Sequence, residues 1–411
     1  MSNTNKQEQT VADDLKGLSQ LAEDGTVGVM ALVESMHLNV LTLGGMLRNK
    51  DKSSGRILGR TTGLTGLIYR TINKTTSLSF KSVNLALAKF KPLQRQSWPK
   101  QWRGKPRNQW LSALNGVLGD HLEATDNPLQ INMQLMHQGK AVNTTEAAVL
   151  INEHTGESLF LVHGLCMNDE QWLREGHDHG EVLANSHKQL CFYLRYNTGR
   201  SVQDNGKDLS DIMGQITEAL PEPKVINFLC HSMGGLVCRS AIHQASQTSG
   251  RHDAEMVSAQ WLENINKVIF LGTPHQGATL EKAGNVLDYL LTISSYSAPF
   301  AKLTRSRSQG IQDLQHGCIH HSASLNEMPK HIMVHAVAGT RSKVDSMPYV
   351  SGEKNVIDMS LKGDGLVSVS SAVAEKLMLK DKGHQQRLLA DCNHMELLGE
   401  KASQLLNQIF N

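Results

Sequence analysis

The stretch Val225-Ile226-Asn227-Phe228-Leu229-Cys230-His231-Ser232-Met233-Gly234-Gly235-Leu236-Val237-Cys238 decides how this chain is read. Its first five residues form a short apolar run, the pattern of a strand buried on both faces. From Leu236 the pattern turns helical, and a serine stands between the two. A serine on a sharp strand-to-helix turn is the setting of a nucleophile elbow, whose backbone is strained and whose hydroxyl stands at the end of the sheet. Such a turn needs small residues two before and two after the serine. Gly234 meets that need. Cys230 stands where the G-x-S-x-G pattern has its first glycine, a departure, but it is small enough for the place. The helix that follows also aims backbone N–H groups and its positive end at charge developing on that side.

Outward from this stretch, further apolar runs recur, each followed by a helical pattern. They are Leu159–Val162, Leu190–Leu194, Val268–Leu271, Ile332–Val337 and Arg387–Ala390. Alternation at Ile131, Met133 and Leu135 predicts another strand, and so does the run Ala147–Ile151. Short strands alternating with helices predict a mostly parallel sheet with helices on both faces. No internal repeat interrupts it.

Before about Pro128 the chain reads as helical instead. Val29, Leu32, Val33, Met36, Val40, Leu43 and Leu47 recur at helical spacing across Gly44-Gly45. A second stripe holds Leu64, Leu67, Ile68, Ile72 and Leu78. A third, from Trp110 to Leu122, stops at Asp126-Asn127-Pro128. The expected organisation is a helical, basic N-terminal region over residues 1–127 and a catalytic domain over 128–411.

Four ordered segments carry a family resemblance: Val162-His163-Gly164-Leu165, His231-Ser232-Met233-Gly234-Gly235, Gly272-Thr273-Pro274-His275-Gln276-Gly277 and Gly363-Asp364-Gly365-Leu366-Val367. Over about Pro128 to Asn411 the chain resembles bacterial lipases and esterases of the α/β-hydrolase superfamily. It is most similar to branches of GPI-inositol-deacylase and triacylglycerol-lipase type. The resemblance implies an α/β-hydrolase fold and an oxyanion hole made by the backbone N–H groups of Leu165 and Met233. It makes His163 structural.

The acid should follow the nucleophile in chain order, and the histidine should follow the acid. Asp364, between two glycines, is the expected acid, with Asp345 and Asp358 as the alternatives. His394, past the Arg387–Ala390 run and ahead of the last helix, is the expected base; Asp391 is a neighbouring loop residue. A serine hydroxyl attacks poorly until an imidazole takes its proton and a carboxylate fixes the imidazole's tautomer. Ester hydrolysis through an acyl-serine on Ser232 is therefore the expected chemistry, with no metal or cofactor. A thioesterase or acyltransferase would use the same residues, and a membrane-associated scaffold with a vestigial hydrolase domain is the reading from another class.

Other features bear on partners. Residues 277–330 form an insertion whose apolar positions Val286, Leu287, Leu290, Leu291, Ile293 and Phe300 suit either a cap over the serine or an ordinary packing helix. His177-Asp178-His179 and Cys318-Ile319-His320-His321 lack a complete zinc spacing and read as polar loop residues. Cys166 reads as a small buried filler. Residues 48–107 hold fifteen Lys and Arg against Asp51 alone, a local +14, so the remainder must carry −12 to reach the formal +2. Such a segment fits a solvated face packed on an acidic domain, or contact with an anionic membrane. Aromatics at 5% and the lack of a recognition motif argue against a nucleic-acid partner. The expected substrate is a small-molecule ester or a lipid. A polar N-terminus and six irregularly spaced cysteines predict free thiols and a cytoplasmic protein, with the basic region able to touch the inner membrane face.

Overall fold

The computed structural model describes residues 12–26, 63–89, 105–248, 260–278, 308–320, 328–343, 349–350, 357, 361–374 and 384–411. Helices α1 (12–26), α2 (Gly63–Lys89) and α3 (Lys105–Ala124) come first. Next come β1 (Gln134–His137), β2 (Lys140–Val142), α4 (Thr144–Glu153), β3 (Ser158–Val162), α5 (His179–His187) and β4 (Leu190–Arg195). The middle of the chain holds α6 (Val202–Glu218), β5 (Ile226–His231), α7 (Met233–Thr248), β6 (Ile265–Leu271) and α8 (Gln309–His316). The chain closes with β7 (Met333–Gly339), β8 (Tyr349–Val350), α9 (Val369–Ala372), β9 (His384–Leu389) and α10 (Glu400–Phe410).

Among the described residues the strands form one sheet in the order β2-β1-β4-β3-β5-β6-β7-β9-β8. The six strands from β4 to β9 in that order pair in parallel. Only β1, β2 and β8 run antiparallel to their neighbours. Both faces are covered, which is why β3 and β5 are buried throughout and mostly apolar, with Ser158, Asn227 and His231 the exceptions. Leu159, Leu161, Leu229, Ile269 and Val337 pack on one face against Leu183 of α5 and Leu405, Leu406 and Ile409 of α10. On the other face Phe160 stacks on Phe192, with ring centroids 5.2 Å apart, and meets Phe228 at 5.6 Å. This is the α/β-hydrolase architecture, with a further helical region before it.

The run Ala147–Ile151 is a helix, not the strand its apolar character predicts. Asn143 and Glu146 form a capping box in which each side chain accepts the other's backbone N–H. Ala147, Ala148 and Ile151 then face inward while Val149 is exposed, which is helical spacing. The signal Asn143-x-x-Glu146 was there to be read. The strand expected from Ile131 begins at Gln134.

The chain divides into two compact units, 1–103 with 126–129, and 104–125 with 130–411. Helix α3 therefore belongs with the sheet, although the change of pattern at Pro128 sets it with the N-terminal region. Its glycines explain the attachment. A Cβ on Gly116 would lie 2.3 Å from Cys166 Sγ, and one on Gly119 would collide with the Asn197 side chain. The Asn197 amide donates to Gly119 O, and Asn115 accepts from Ile131 N–H. The stripe over 29–47, most of the 277–330 insertion, and both Asp345 and Asp358 lie outside the described residues.

Candidate functional site

Ser232 occupies the turn between β5 and α7 with φ +53°, the left-handed region that non-glycine residues rarely adopt. The turn is pinned on both sides. Ser232 N–H donates to Leu271 O at 2.9 Å, and Gly235 N–H donates to Ser232 O at 3.1 Å. Gly234 has no room for a side chain, because its Cβ would sit 2.2 Å from Val162 O and 2.6 Å from His163 O. A Cβ on Gly164 would stand 3.0 Å from Ser232 Cβ. The elbow and the loop after β3 thus meet through two glycines, which is the close approach this motif requires. Cys230 is fully buried at the third small position, as a free thiol, and burial raises it well above the ordinary range.

Asp364 stands between β8 and α9, and His394 stands on the segment between β9 and α10. Asp364 is fully buried, and three donors offset the cost of burying its carboxylate. Leu366 and Val367 N–H donate to Oδ1 at 2.9 and 2.8 Å, and His394 Nδ1 donates to Oδ2 at 2.7 Å. With Nδ1 donating, Nε2 is the nitrogen left to accept a proton. It is buried and has no hydrogen-bond partner among the described residues. Gly272, with φ +59°, forms the floor of the pair, for its Cβ would lie 3.1 Å from both Asp364 Oδ2 and His394 Nδ1.

The structure therefore joins His394 to Asp364 directly and packs the His394 ring against His231, the residue before Ser232. The His231 and His394 rings stand 4.7 Å apart, and His231 Nε2 donates to His394 O at 3.1 Å. No direct bond links Ser232 Oγ to His394 Nε2, a contact that is often long before substrate binds. His394 N–H donates to Asp364 O, and His179 Nε2 donates to Leu397 O at 2.9 Å. Two imidazoles, from His231 and His179, thus hold the backbone of the loop that carries His394. Nothing in the sequence pattern marks them for that task, since their partners are backbone carbonyls more than 160 residues away.

The loop after β3 turns at Cys166, whose φ is +60°. Met167 N–H donates to Gly164 O, and Cys166 N–H donates to Thr198 Oγ1 at 3.1 Å. This leaves the N–H groups of Leu165 and Met233 without an acceptor among the described residues. His163 is structural in its contacts. Its carbonyl accepts from Tyr196 OH at 2.7 Å, and its ring stacks on Tyr196. Cys166 is buried against α3, and burial pushes its thiol up to about 12, so it is not poised as a thiolate. Asp178 caps α5 and accepts from Tyr193 OH, while His177 bonds His179. Cys318 Sγ bonds the carbonyl of His320.

Burial lowers the pKa of several histidines in and near the sheet. Burial lowers His163 and His179 to about 4 each, and it lowers His335 to about 4 with help from Arg387. Burial also takes His231 and His275 well below the ordinary range, His394 adding to the shift of His231 and Arg239 to that of His275. The unfolded chain therefore binds more protons than the folded one as pH falls from about 6.5 toward about 4. Stability should be full above that window and be lost through it, by up to about 1.4 kcal/mol per pH unit for each histidine. Urea unfolding at several pH values checks this: the midpoint should drop steeply below about pH 6, and a flat profile would contradict it.

Residues 153–347 match the family model described as PGAP1-like alpha/beta domain. The match takes in the loop after β3, the elbow and the Gly272–Gly277 segment, and it ends before Asp364 and His394. No curated protein matches the chain significantly. Among solved structures, the chain is similar to the Bacillus licheniformis lipase BlEst2 in mature form, at 18% identity and TM-score 0.41, over 62% of this chain and 92% of that one. It is similar to lipase 1 from Pelosinus fermentans at 13% identity and TM-score 0.41, over 62% and 97%. The metagenomic carboxyl esterase MGS0156 is similar at 16% identity and TM-score 0.35, over 62% and 70%.

Proposed function

We propose that this α/β-hydrolase chain is a serine hydrolase that cleaves carboxylic esters through an acyl-serine on Ser232. The observation that carries the reading is the strained, glycine-flanked serine turn beside a buried His394–Asp364 pair whose Nε2 is left free. His394 Nε2 takes the hydroxyl proton as Ser232 Oγ attacks the acyl carbon. The Nδ1–H···Oδ2 bond stabilises the imidazolium that forms. The oxyanion is held by the N–H groups of Leu165 and Met233, each such donor being worth about 10²–10³ in rate. Collapse expels the alcohol, which takes its proton from His394. Water then attacks the acyl-serine, giving up its proton to the same nitrogen, and the carboxylic acid leaves as Ser232 is restored.

The reading extends to an apolar acyl group, on the strength of the family resemblance and the apolar insertion after Gly277. It is tested by a fluorophosphonate probe together with a chain-length series of p-nitrophenyl esters. A single labelled site at Ser232 and turnover that rises with acyl length are expected. Labelling elsewhere, or neither labelling nor turnover, would overturn the assignment.

A further inference from the structure

Helix α2 wears its amphipathic pattern inside out. Thr76, Ser77, Phe80 and Asn84 are half-buried, three of the four being polar. The exposed side is where the large apolar residues stand, with Leu67 at 55%, Leu78 at 66% and Leu85 at 56%. Steps of eleven and seven residues set these three leucines in one row along the axis, at 3.6 residues per turn. Ile72 and Val83 form a second exposed row, roughly 150° round the helix. Soluble proteins expose single leucines freely, but a contiguous apolar helix face calls for something to cover it.

The polar residues between the two rows do not interrupt that face. Thr71, Thr75, Ser79 and Ser82 lie in the arc from Leu67 to Val83, and every one of their hydroxyls donates to the carbonyl four residues back. A hydroxyl satisfied in this way makes no demand on water or on a partner. The whole arc is thus able to leave water without stranding a hydrogen bond.

Charge names the occupant. Arg70, Lys74 and Lys81 are exposed along one edge of the leucine row. From Lys52 to Gly119 the sequence holds no Asp or Glu at all. A second copy presenting this face would set like charges against each other, while a duplex of nucleic acid offers leucines nothing to bury against. No helix among the described residues is long and apolar enough to cross a membrane. A helix that cannot span, with an apolar face, a cationic edge and internally satisfied hydroxyls, suits the plane of a bilayer interface. We propose that the exposed face of α2 docks on a bilayer surface carrying anionic lipid, with the leucine row at the acyl boundary and Arg70, Lys74 and Lys81 among the headgroups.

This inference does not rest on the hydrolase reading, and its test reads binding alone. The full chain is co-sedimented with phosphatidylcholine vesicles with and without phosphatidylglycerol. Wild type should sediment with the anionic vesicles at ~0.1 M salt and largely release at ~1 M, as the Debye length falls from about 10 Å to about 3 Å. Arg70→Gln/Lys74→Gln/Lys81→Gln should bind about a hundredfold more weakly, at roughly one fivefold step per charge. Leu67→Gln/Leu78→Gln/Leu85→Gln should weaken binding at least as much even at low salt. Circular dichroism should show both triple variants folded, since every altered side chain is exposed. Val149→Gln, an exposed apolar change on the catalytic unit, should bind as wild type does, and so should Ser232→Ala. Wild type that ignores anionic vesicles would overturn the proposal. A concentration-dependent dimer abolished by Leu78→Gln would overturn it too, by giving the face to a second copy.

Discussion

Ser232→Ala is expected to lower kcat/KM for a p-nitrophenyl ester by about 10⁴–10⁶ while leaving the protein folded. The size follows from what the residue would do: no other side chain at the elbow carries a hydroxyl that His394 could deprotonate. Folding should survive, because alanine removes one oxygen from a residue held by its backbone, through Ser232 N–H to Leu271 O and Gly235 N–H to Ser232 O. Relief of the φ +53° conformation is not available to alanine either, so the turn keeps its strain. Labelling by a fluorophosphonate should vanish with turnover. A clean preparation of the variant that still hydrolyses ester at a tenth of the wild-type rate would remove Ser232 from the mechanism.

Asp364→Asn is expected to cost about 10⁴ in turnover, by a different route. Leu366 and Val367 N–H both donate to Oδ1, so the asparagine carbonyl must stay with them. Its NH₂ then faces His394 Nδ1, which has to become the acceptor. The ring proton moves to Nε2, the nitrogen that should take the serine proton, and the base is blocked in the wrong tautomer. The variant should unfold at nearly the wild-type urea concentration, because the number of hydrogen bonds is unchanged. If turnover drops less than tenfold, Asp364 is not the orienting acid, and Asp345 and Asp358 become the residues to replace.

What was legible in the sequence is what depends on neighbours in the chain. The strand–turn–helix around Ser232 is a local pattern, and both the strain at Ser232 and the confinement of Gly234 arise within that segment and the loop it touches. Most of the parallel strands were visible because a strand covered on both faces is largely apolar, as at Leu159–Val162 and Val268–Leu271. Ala147–Ile151, helical although apolar, shows the limit of that rule. A run of five apolar residues fits a buried strand and a short helix equally well, and the deciding signal lay outside the run, in Asn143 and Glu146. Invisible altogether were His231 and His179, whose bonds go to the carbonyls of His394 and Leu397. A backbone carbonyl has no sequence signature, so a side chain that serves one cannot be found by inspecting residue types.

The seating of α3 sets the shortest chain that could act alone. Cutting at Pro128, where the sequence changes character, would spare every strand and the residues Ser232, Asp364 and His394. It would also remove Gly116 and Ala113 from beneath Cys166, where the thiol packs and contacts Ala113 O. Ser308 Oγ would lose its acceptor at Gly116 O, and Gln309 N–H would lose the Asp120 carboxylate that receives it at the start of α8. The loop that presents Leu165 N–H would then have water behind it in place of a helix, and its geometry would be free to wander. A trimmed enzyme has to begin at about residue 104, so the reactive unit borrows its last wall from the third of the chain that looks dispensable.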